Sequence, residues 1–259
     1  MIPSIPAKQF MTKTKLGEFA CNPYVGCTHG CVYCYAKHFE KRFPLSSWGT
    51  YVYERKFPNT LIPKGTGRSS LMFSPMTDPY QPVEATTLAT RKILESIVES
   101  QLQISILTKS DLVLRDLDLF LQMNSVEVGF SIGMDDPAST WFEPGASTPR
   151  SRVKALQKLH EQGIRTYVFF APLLPGISDI DTLFDLVKDH VDYLMVDRLN
   201  IKDAIDQQAL FQIACRLGPE VENLWQQVFL QHNDTWYQET LNHLKKRAEQ
   251  SKIELRYSP

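Results

Sequence analysis

Residues 21–39 read CNPYVGCTHGCVYCYAKHF, and the fold is decided by how this stretch is read. Cys27, Cys31 and Cys34 are spaced C-x3-C-x2-C, with Tyr33 immediately before the third cysteine. Three thiolates on one short loop can hold three irons of a [4Fe–4S] cluster. Ordinary cluster sites use four cysteines, so one iron is left without a protein ligand. An open metal position is where chemistry happens, as at catalytic zinc centres. The competing reading is a structural zinc site completed by His29 or His38. Zinc modules usually carry two paired ligand clusters, and the sequence has no second pair. A disulfide pair is disfavoured by the odd count of five cysteines and by a start, MIPSIPAKQFMTKTK, with no apolar signal segment.

Around this loop, the 259 residues suffice for one large α/β domain with a substantial core. No run of about 18 apolar residues occurs, so no membrane span is expected. Cysteines kept as thiols suit a reducing cytoplasm. Residues 1–68 carry ten Lys/Arg against three Asp/Glu, and residues 69–259 carry eighteen against twenty-six. The basic part contains Lys37, Lys41, Arg42, Arg55, Lys56, Lys64 and Arg68. A basic face attracts an anionic substrate, nucleic acid included. The plainer reading is a set of solvated cations without a partner.

Residues 1–17 read as an extended arm, with a short first strand at Gly17–Ala20. Tyr35–Arg42 reads as the start of a helix. Residues 44–68, rich in Pro, Gly and aromatics, read as a long loop with a strand near Thr50–Arg55. Strands are expected at Leu71–Ser74, Gln103–Leu107, Val126–Ile132, Arg165–Ala171 (ended by Pro172), Tyr193–Val196 and Ile253–Tyr257. Helices are expected at Glu84–Ser100, at Asp111–Gln122 with Asp111 as N-cap, at Arg150–Gln162 stopped by Gly163, at Asp179–His190, near Glu220–Leu230 and at Thr235–Gln250. Alternating apolar strands and helices predict a parallel sheet with outer helices, an open partial (β/α)6 barrel of the TIM type. The chain reads as one domain without linkers, and residues 218–259 as its helical carboxyl-terminal extension.

Ligands of parallel α/β folds bind at the carboxyl ends of the strands. The sequence places Ser74, Thr77, Asp78 and Tyr80 after the second strand, and Thr108 and Lys109 after the third. Ser131, Gly133, Asp135 and Asp136 end the fourth, and Asp197 and Arg198 the sixth. Each can be a cap or turn residue. Their joint position beside the cysteine loop points to a site, with Ser74, Thr77 and Asp78 as cofactor-binding candidates.

The pattern C-x3-C-x-aromatic-C resembles the signature of the radical S-adenosylmethionine (radical SAM) superfamily. The segments NPYVGCTHGCVYCYA, TDPYQPVE, ILTKS, FSIGMDD and WFEPGASTPRSRVKALQKLHEQGI resemble its DNA-repair-photolyase-related branch, typified by spore photoproduct lyase. The likeness runs from about Asn22 to Gly176. It implies a [4Fe–4S] cluster on Cys27, Cys31 and Cys34, whose open iron is chelated by SAM. It further implies reductive cleavage of SAM to a 5′-deoxyadenosyl radical, which abstracts hydrogen from a substrate, and an external electron donor of the flavodoxin or ferredoxin type. Lys109 sits where the family's lysine pairs with the SAM carboxylate, and Ser131 where a serine contacts SAM. Tyr33 and Tyr35 match tyrosines implicated in radical return, with aromatic packing over the cluster as the competing reading; Tyr33 is also a cofactor-binding candidate.

The lyase's hydrogen-donating cysteine, on the loop after its second strand, has no counterpart here, because that stretch reads SPMTDP. Cys21 and Cys215 do not match its place. The sequence is therefore read as a monomeric, cytoplasmic radical SAM enzyme. Its substrate is a nucleic-acid base or lesion, or else a peptide or small metabolite. The non-enzymatic alternative is an iron–sulfur or zinc protein that acts as a sensor or binding module.

Overall fold

The computed structural model describes residues 2–14, 17–41, 44, 47–57 and 67–257. Its strands are β1 Ser4–Pro6, β2 Thr12–Lys13, β3 Phe19–Cys21, β4 Tyr24–Val25, β5 Tyr53–Lys56, β6 Ser70–Phe73, β7 Gln103–Thr108, β8 Val126–Ser131, β9 Arg165–Leu173, β10 Tyr193–Arg198 and β11 Glu254–Tyr257. Eight of them form one sheet in the order β11-β10-β9-β8-β7-β6-β3-β2. Neighbours from β3 to β11 are all parallel, and only β2 pairs antiparallel, on β3. β1, β5 and β4 form a separate three-stranded ribbon.

The helices are α1 Glu84–Thr87, α2 Ala89–Ile97, α3 Leu117–Phe120, α4 Asp136–Phe142, α5 Pro149–Glu161, α6 Ile180–Val187, α7 Ala204–Leu217, α8 Pro219–Trp225 and α9 Thr235–Gln250. Strand–helix alternation around a parallel sheet gives the partial TIM-type barrel. The core between the layers holds Leu71, Ile104, Ile106, Val128, Phe130, Val168, Phe170 and Leu194 from the strands, and Leu94, Leu156, Phe184 and Leu244 from the helices. Strands buried on both faces must be apolar throughout, as β8 and β9 largely are. Among the described residues no helix is long and apolar enough to cross a membrane.

Local chemistry sets the helix ends. Thr148 caps α5 by accepting from the Ser151 N–H at 3.2 Å, Pro149 opens it, and Gly163 follows it at φ +76°. Asp179 caps α6 through the Thr182 N–H.

The described part of the extended 1–17 arm is held in place by pairing of β1 with β5 and of β2 with β3. Several expectations are corrected. The Glu84–Ser100 helix breaks at Leu88, in the left-handed region at φ 56°, where α1 ends and α2 begins. Asp111 is not an N-cap. Ser110 is, accepting from the Leu112 N–H at 3.3 Å, and the segment winds as a 3-10 turn over Asp111–Asp116 before α3. The expected helix at Tyr35–Arg42 is a single 3-10 turn, Tyr35–His38. β9 runs past Pro172 to Leu173. Helices α4 and α7 were not expected. Arg42, Lys64 and most of the expected 44–68 loop lie outside the described residues.

Candidate active site

The cysteine loop leaves β4 at Gly26, whose φ of +80° turns the chain over the barrel end. Two segments hold it there, the one after β6 and the end of α4 with the turn that follows. Gln81, fully buried, accepts from the Thr28 N–H at 2.9 Å and donates to the Gly26 carbonyl at 3.2 Å. Asp78 meets His29 Nδ1 at 3.4 Å. The Val32 N–H donates to the Phe142 carbonyl at 3.0 Å, and the Gly145 N–H to the His29 carbonyl at 2.9 Å. A Cβ on Gly145 would lie 2.2 Å from the Thr28 carbonyl, so only glycine allows this approach.

Cys27 and Cys31 are buried and Cys34 is partly exposed. Burial pushes all three thiols up, and each raises its neighbours further or is raised by them. Nearby backbone N–H groups, of His29 and Asp78 at Cys27 and of Ala36 and Lys37 at Cys34, partly offset that rise. Such a set is costly as three bare thiolates and is relieved by metal, which deprotonates a coordinating thiol outright. The donor chemistry therefore fits an iron–sulfur cluster. His29 is turned to Asp78, and His38 Nε2 to Asp206 at 2.7 Å. Among the described residues no three His, Cys, Asp or Glu side chains are grouped for a single ion.

A charged chain runs beneath the loop. Lys109 Nζ donates to Ser131 Oγ at 2.9 Å, lies 3.9 Å from Glu143 Oε1, and stands 5.7 Å from the centre of the Tyr33 ring. Ser131 Oγ in turn donates to the Ala171 carbonyl at 2.7 Å. Glu143 is buried, receives the Tyr33 hydroxyl and pairs with buried Arg152. Burial alone would raise the Glu143 carboxyl, but the Arg152 and Lys109 charges and the Tyr33 hydroxyl hold it below its ordinary range. Arg152 also donates to the carbonyls of Ser147 and Ser131, each at 2.8 Å. Glu143, Arg152 and Gln81 are not among the residues that the sequence singles out. The FEPG and TDPYQP segments that contain Glu143 and Gln81 carry only a family signal there.

Asp78 has both oxygens engaged, with the Tyr80 N–H at 2.8 Å, the Thr108 hydroxyl at 2.7 Å and the Lys109 N–H at 2.8 Å, besides His29. Burial opposes its ionisation, but His29, the Lys109 N–H and the Thr108 hydroxyl bring its carboxyl down to about 2. It clamps β7 to the cysteine loop. Ser74 Oγ and Thr77 Oγ1, at the end of β6, are buried without hydrogen-bond partners. Two open hydroxyls at the carboxyl end of a strand suit a polar ligand. Tyr33 has its hydroxyl committed to Glu143. Tyr35 is 43% exposed, and its hydroxyl donates to the Pro75 carbonyl on the loop after β6.

The basic face is only partly realised. Lys37 pairs with buried Asp206 and donates to the Val32 carbonyl at 2.8 Å, so it ties the loop to α7 instead of facing solvent. Lys41, Lys56 and Arg68 are exposed. At the end of β10, Asp197, Arg198 and Asp203 line a cleft of about 670 Å³. Asp135 and Asp203 serve as helix caps, of α4 and α7.

Comparison with known proteins agrees with this geometry. The radical SAM superfamily profile matches residues 21–187. An uncharacterized protein of Methanocaldococcus jannaschii is 34% identical over 76% of this chain and 77% of its own length. A radical SAM Nalpha-GlyT isomerase of Pseudomonas phage M6 is 27% identical over 63% of this chain, but over only 35% of its own. Among solved structures, spore photoproduct lyase complexed with dinucleoside spore photoproduct shares the fold. Its TM-score is 0.68 at 16% identity, and the match covers 96% of this chain and 78% of the lyase. The chain belongs to the radical SAM superfamily, whose members use a [4Fe–4S] cluster and S-adenosylmethionine.

Proposed function

We propose that this chain is a radical SAM enzyme that abstracts hydrogen from a nucleic-acid base or lesion, with Cys27, Cys31 and Cys34 as the cluster ligands. The bound cluster and SAM supply a 5′-deoxyadenosyl radical, with the electron delivered by a flavodoxin- or ferredoxin-type donor. The observation that carries the reading is the convergence, at one end of a parallel sheet, of a three-cysteine loop with the Lys109–Ser131 pair. Lys109 offers a cation to the SAM carboxylate, the stronger kind of hydrogen bond. Ser131 holds that ammonium in place, and the open hydroxyls of Ser74 and Thr77 complete the polar wall. Asp78 and Gln81 position the cysteine loop rather than touching reactants.

The substrate class draws on the relatives: a lyase that takes a dinucleoside photoproduct, and a phage isomerase named for Nalpha-GlyT. The chain has no cysteine on the loop after β6, so its chemistry does not end with hydrogen return from that position. Tyr35 reaches that loop through Pro75 and is the candidate for radical return. Tyr33, bound to Glu143, is the supporting ring.

The test is release of 5′-deoxyadenosine by anaerobically reconstituted protein with a reductant, followed chromatographically with and without single-stranded DNA. Release is expected, and DNA should increase it. Release that DNA leaves unchanged would move the substrate to a peptide or small metabolite. Absence of release, with a full cluster and bound SAM, would overturn the enzymatic reading.

A further inference from the structure

A second cavity, of about 420 Å³, opens on the outer side of the cysteine loop. Its walls come from the loop, from the turn that follows it, from β5 and from the segment after β6; they include Phe39, Lys41, Trp48, Arg55, Met76 and Thr77. Three features set its chemistry. Trp48 Nε1 is buried without a hydrogen-bond partner. An indole N–H can only donate, so a ligand that satisfies it must present an acceptor. Arg55 and Lys41 add two cationic side chains to the wall, against one acid, Glu40. Phe39 stands 64% exposed at the site, an aromatic face that nothing in the described chain covers fully.

We propose that this cavity binds one nucleotide unit, with its planar base against Trp48 and Phe39 and its phosphate toward Lys41 and Arg55. The inference rests on the nucleic-acid reading above and assigns that reading a place. The volume lies within the range of small-ligand pockets. Base–aromatic stacking is tolerant of sequence, and phosphate–cation bonds are charge-assisted, so together they select a nucleotide over a bare base or a bare anion. Thr77 lies both on this wall and at the end of β6 beside Ser74, so an occupant would sit next to the proposed cofactor site. Cys27 is one residue from Gly26, and Cys34 two from Ala36; both Gly26 and Ala36 also line the cavity. The unit held here is read as a neighbour of the reacting base.

The experiment is calorimetric titration of thymidine 5′-monophosphate into the cluster-loaded, SAM-bound protein at low salt, with thymidine, inorganic phosphate and a short oligothymidylate as parallel probes. Saturable binding of the monophosphate, tighter than of thymidine or phosphate, is expected. Trp48→Phe keeps an aromatic face, although a smaller one, and removes the donor; it should weaken the monophosphate roughly tenfold, as loss of a hydrogen bond to a charged or polar acceptor does. Lys41→Glu, at an exposed position that does not endanger folding, should weaken the monophosphate and phosphate while leaving thymidine unchanged. No saturation with the monophosphate, or parental affinity in both variants, would overturn the proposal, and phosphate binding as tightly as the monophosphate would show an anion site without a base platform. If oligothymidylate still binds while both variants behave as the parent, the site is wrong and the substrate reading stands. If neither oligothymidylate nor the monophosphate binds, both fall.

Discussion

Glu143 is the member of the site whose removal has the most calculable effect. Its carboxylate is buried against Arg152, itself buried, and it accepts from Tyr33 and faces Lys109 at 3.9 Å. Glu143→Gln keeps the shape and an acceptor for Tyr33 but leaves the guanidinium without its counter-charge. Removing one partner of a buried pair costs about 3–5 kcal/mol. The lower end applies, because Arg152 keeps two carbonyl acceptors at 2.8 Å. About 3 kcal/mol in a chain of this size lowers Tm by about 6–12 °C. The assay is thermal unfolding followed by circular dichroism under anaerobic conditions, for parent and variant at one protein concentration. A second variant isolates the charge: Glu143→Gln with Arg152→Met removes both partners and should recover part of the loss, since an apolar replacement of a whole buried pair is often neutral. A Tm within 2 °C of the parent for Glu143→Gln, or a double variant less stable than the single one, would refute the account of Glu143 as the counter-charge that seats the loop.

Other expectations follow from the same geometry. Anaerobic reconstitution should yield about four irons and four sulfides per chain; Cys27→Ala, Cys31→Ala or Cys34→Ala should abolish this, and Cys215→Ala, at an exposed position of α7, should not, with iron and sulfide analysis as the measure. Lys109→Ala should weaken SAM binding by about 1.5–3 kcal/mol and Ser131→Ala by less, in calorimetric titration of the cluster-loaded protein; unchanged affinity in both would remove them from the cofactor site. Asp179→Ala should cost about 1 kcal/mol as the loss of an N-cap. The Asp179 carboxyl is held below its ordinary range by the Thr182 hydroxyl and N–H, so its contribution is full above the usual carboxylate range and disappears as pH falls through its folded value. The gap between parent and variant in denaturant unfolding should accordingly close on acidification, and a gap that widens would contradict the sign.

Much of the architecture was legible because strands in a parallel sheet covered on both faces carry their signal locally. Val126–Ser131 and Arg165–Leu173 are apolar runs bounded by turns, and their helices are amphipathic and capped. Polar residues at element ends are ambiguous in the sequence. Asp135 fits either a site or a cap, and it caps the seven-residue α4 that follows. Helix α7 opens with AIDQQ, whose Ile205 is exposed, and buries only Asp206, Leu210, Ile213 and Ala214. Its apolar stripe is too sparse to announce a helix, although Asp203 is a clear cap. The Leu88 break and the 3-10 winding after Ser110 depend on backbone angles that apolar periodicity does not encode.

The candidate site divides along the same line. Cys27, Cys31 and Cys34 lie within eight residues, so their spacing is itself the signal. The strand-end rule puts Lys109 and Ser131 among the candidates, and the family resemblance singles them out. Glu143 reaches Tyr33 from 110 positions away, and Asp206 reaches His38 from 168. No window of sequence joins such partners, and a lone Glu or Asp reads as a solvated surface charge. Physics supplies the missing criterion only once burial is known: an ionised carboxylate at 2 or 3% exposure must be paired. In each case the partner lies in the cysteine loop or the turn that follows it. Glu143 takes Tyr33 from below, while Asp206 takes Lys37 and His38 from the α7 side. The loop carries three thiols that repel one another as they ionise, and it has little secondary structure of its own. Buried carboxylates anchored on two different helical segments hold it where hydrophobic packing alone has nothing to grip.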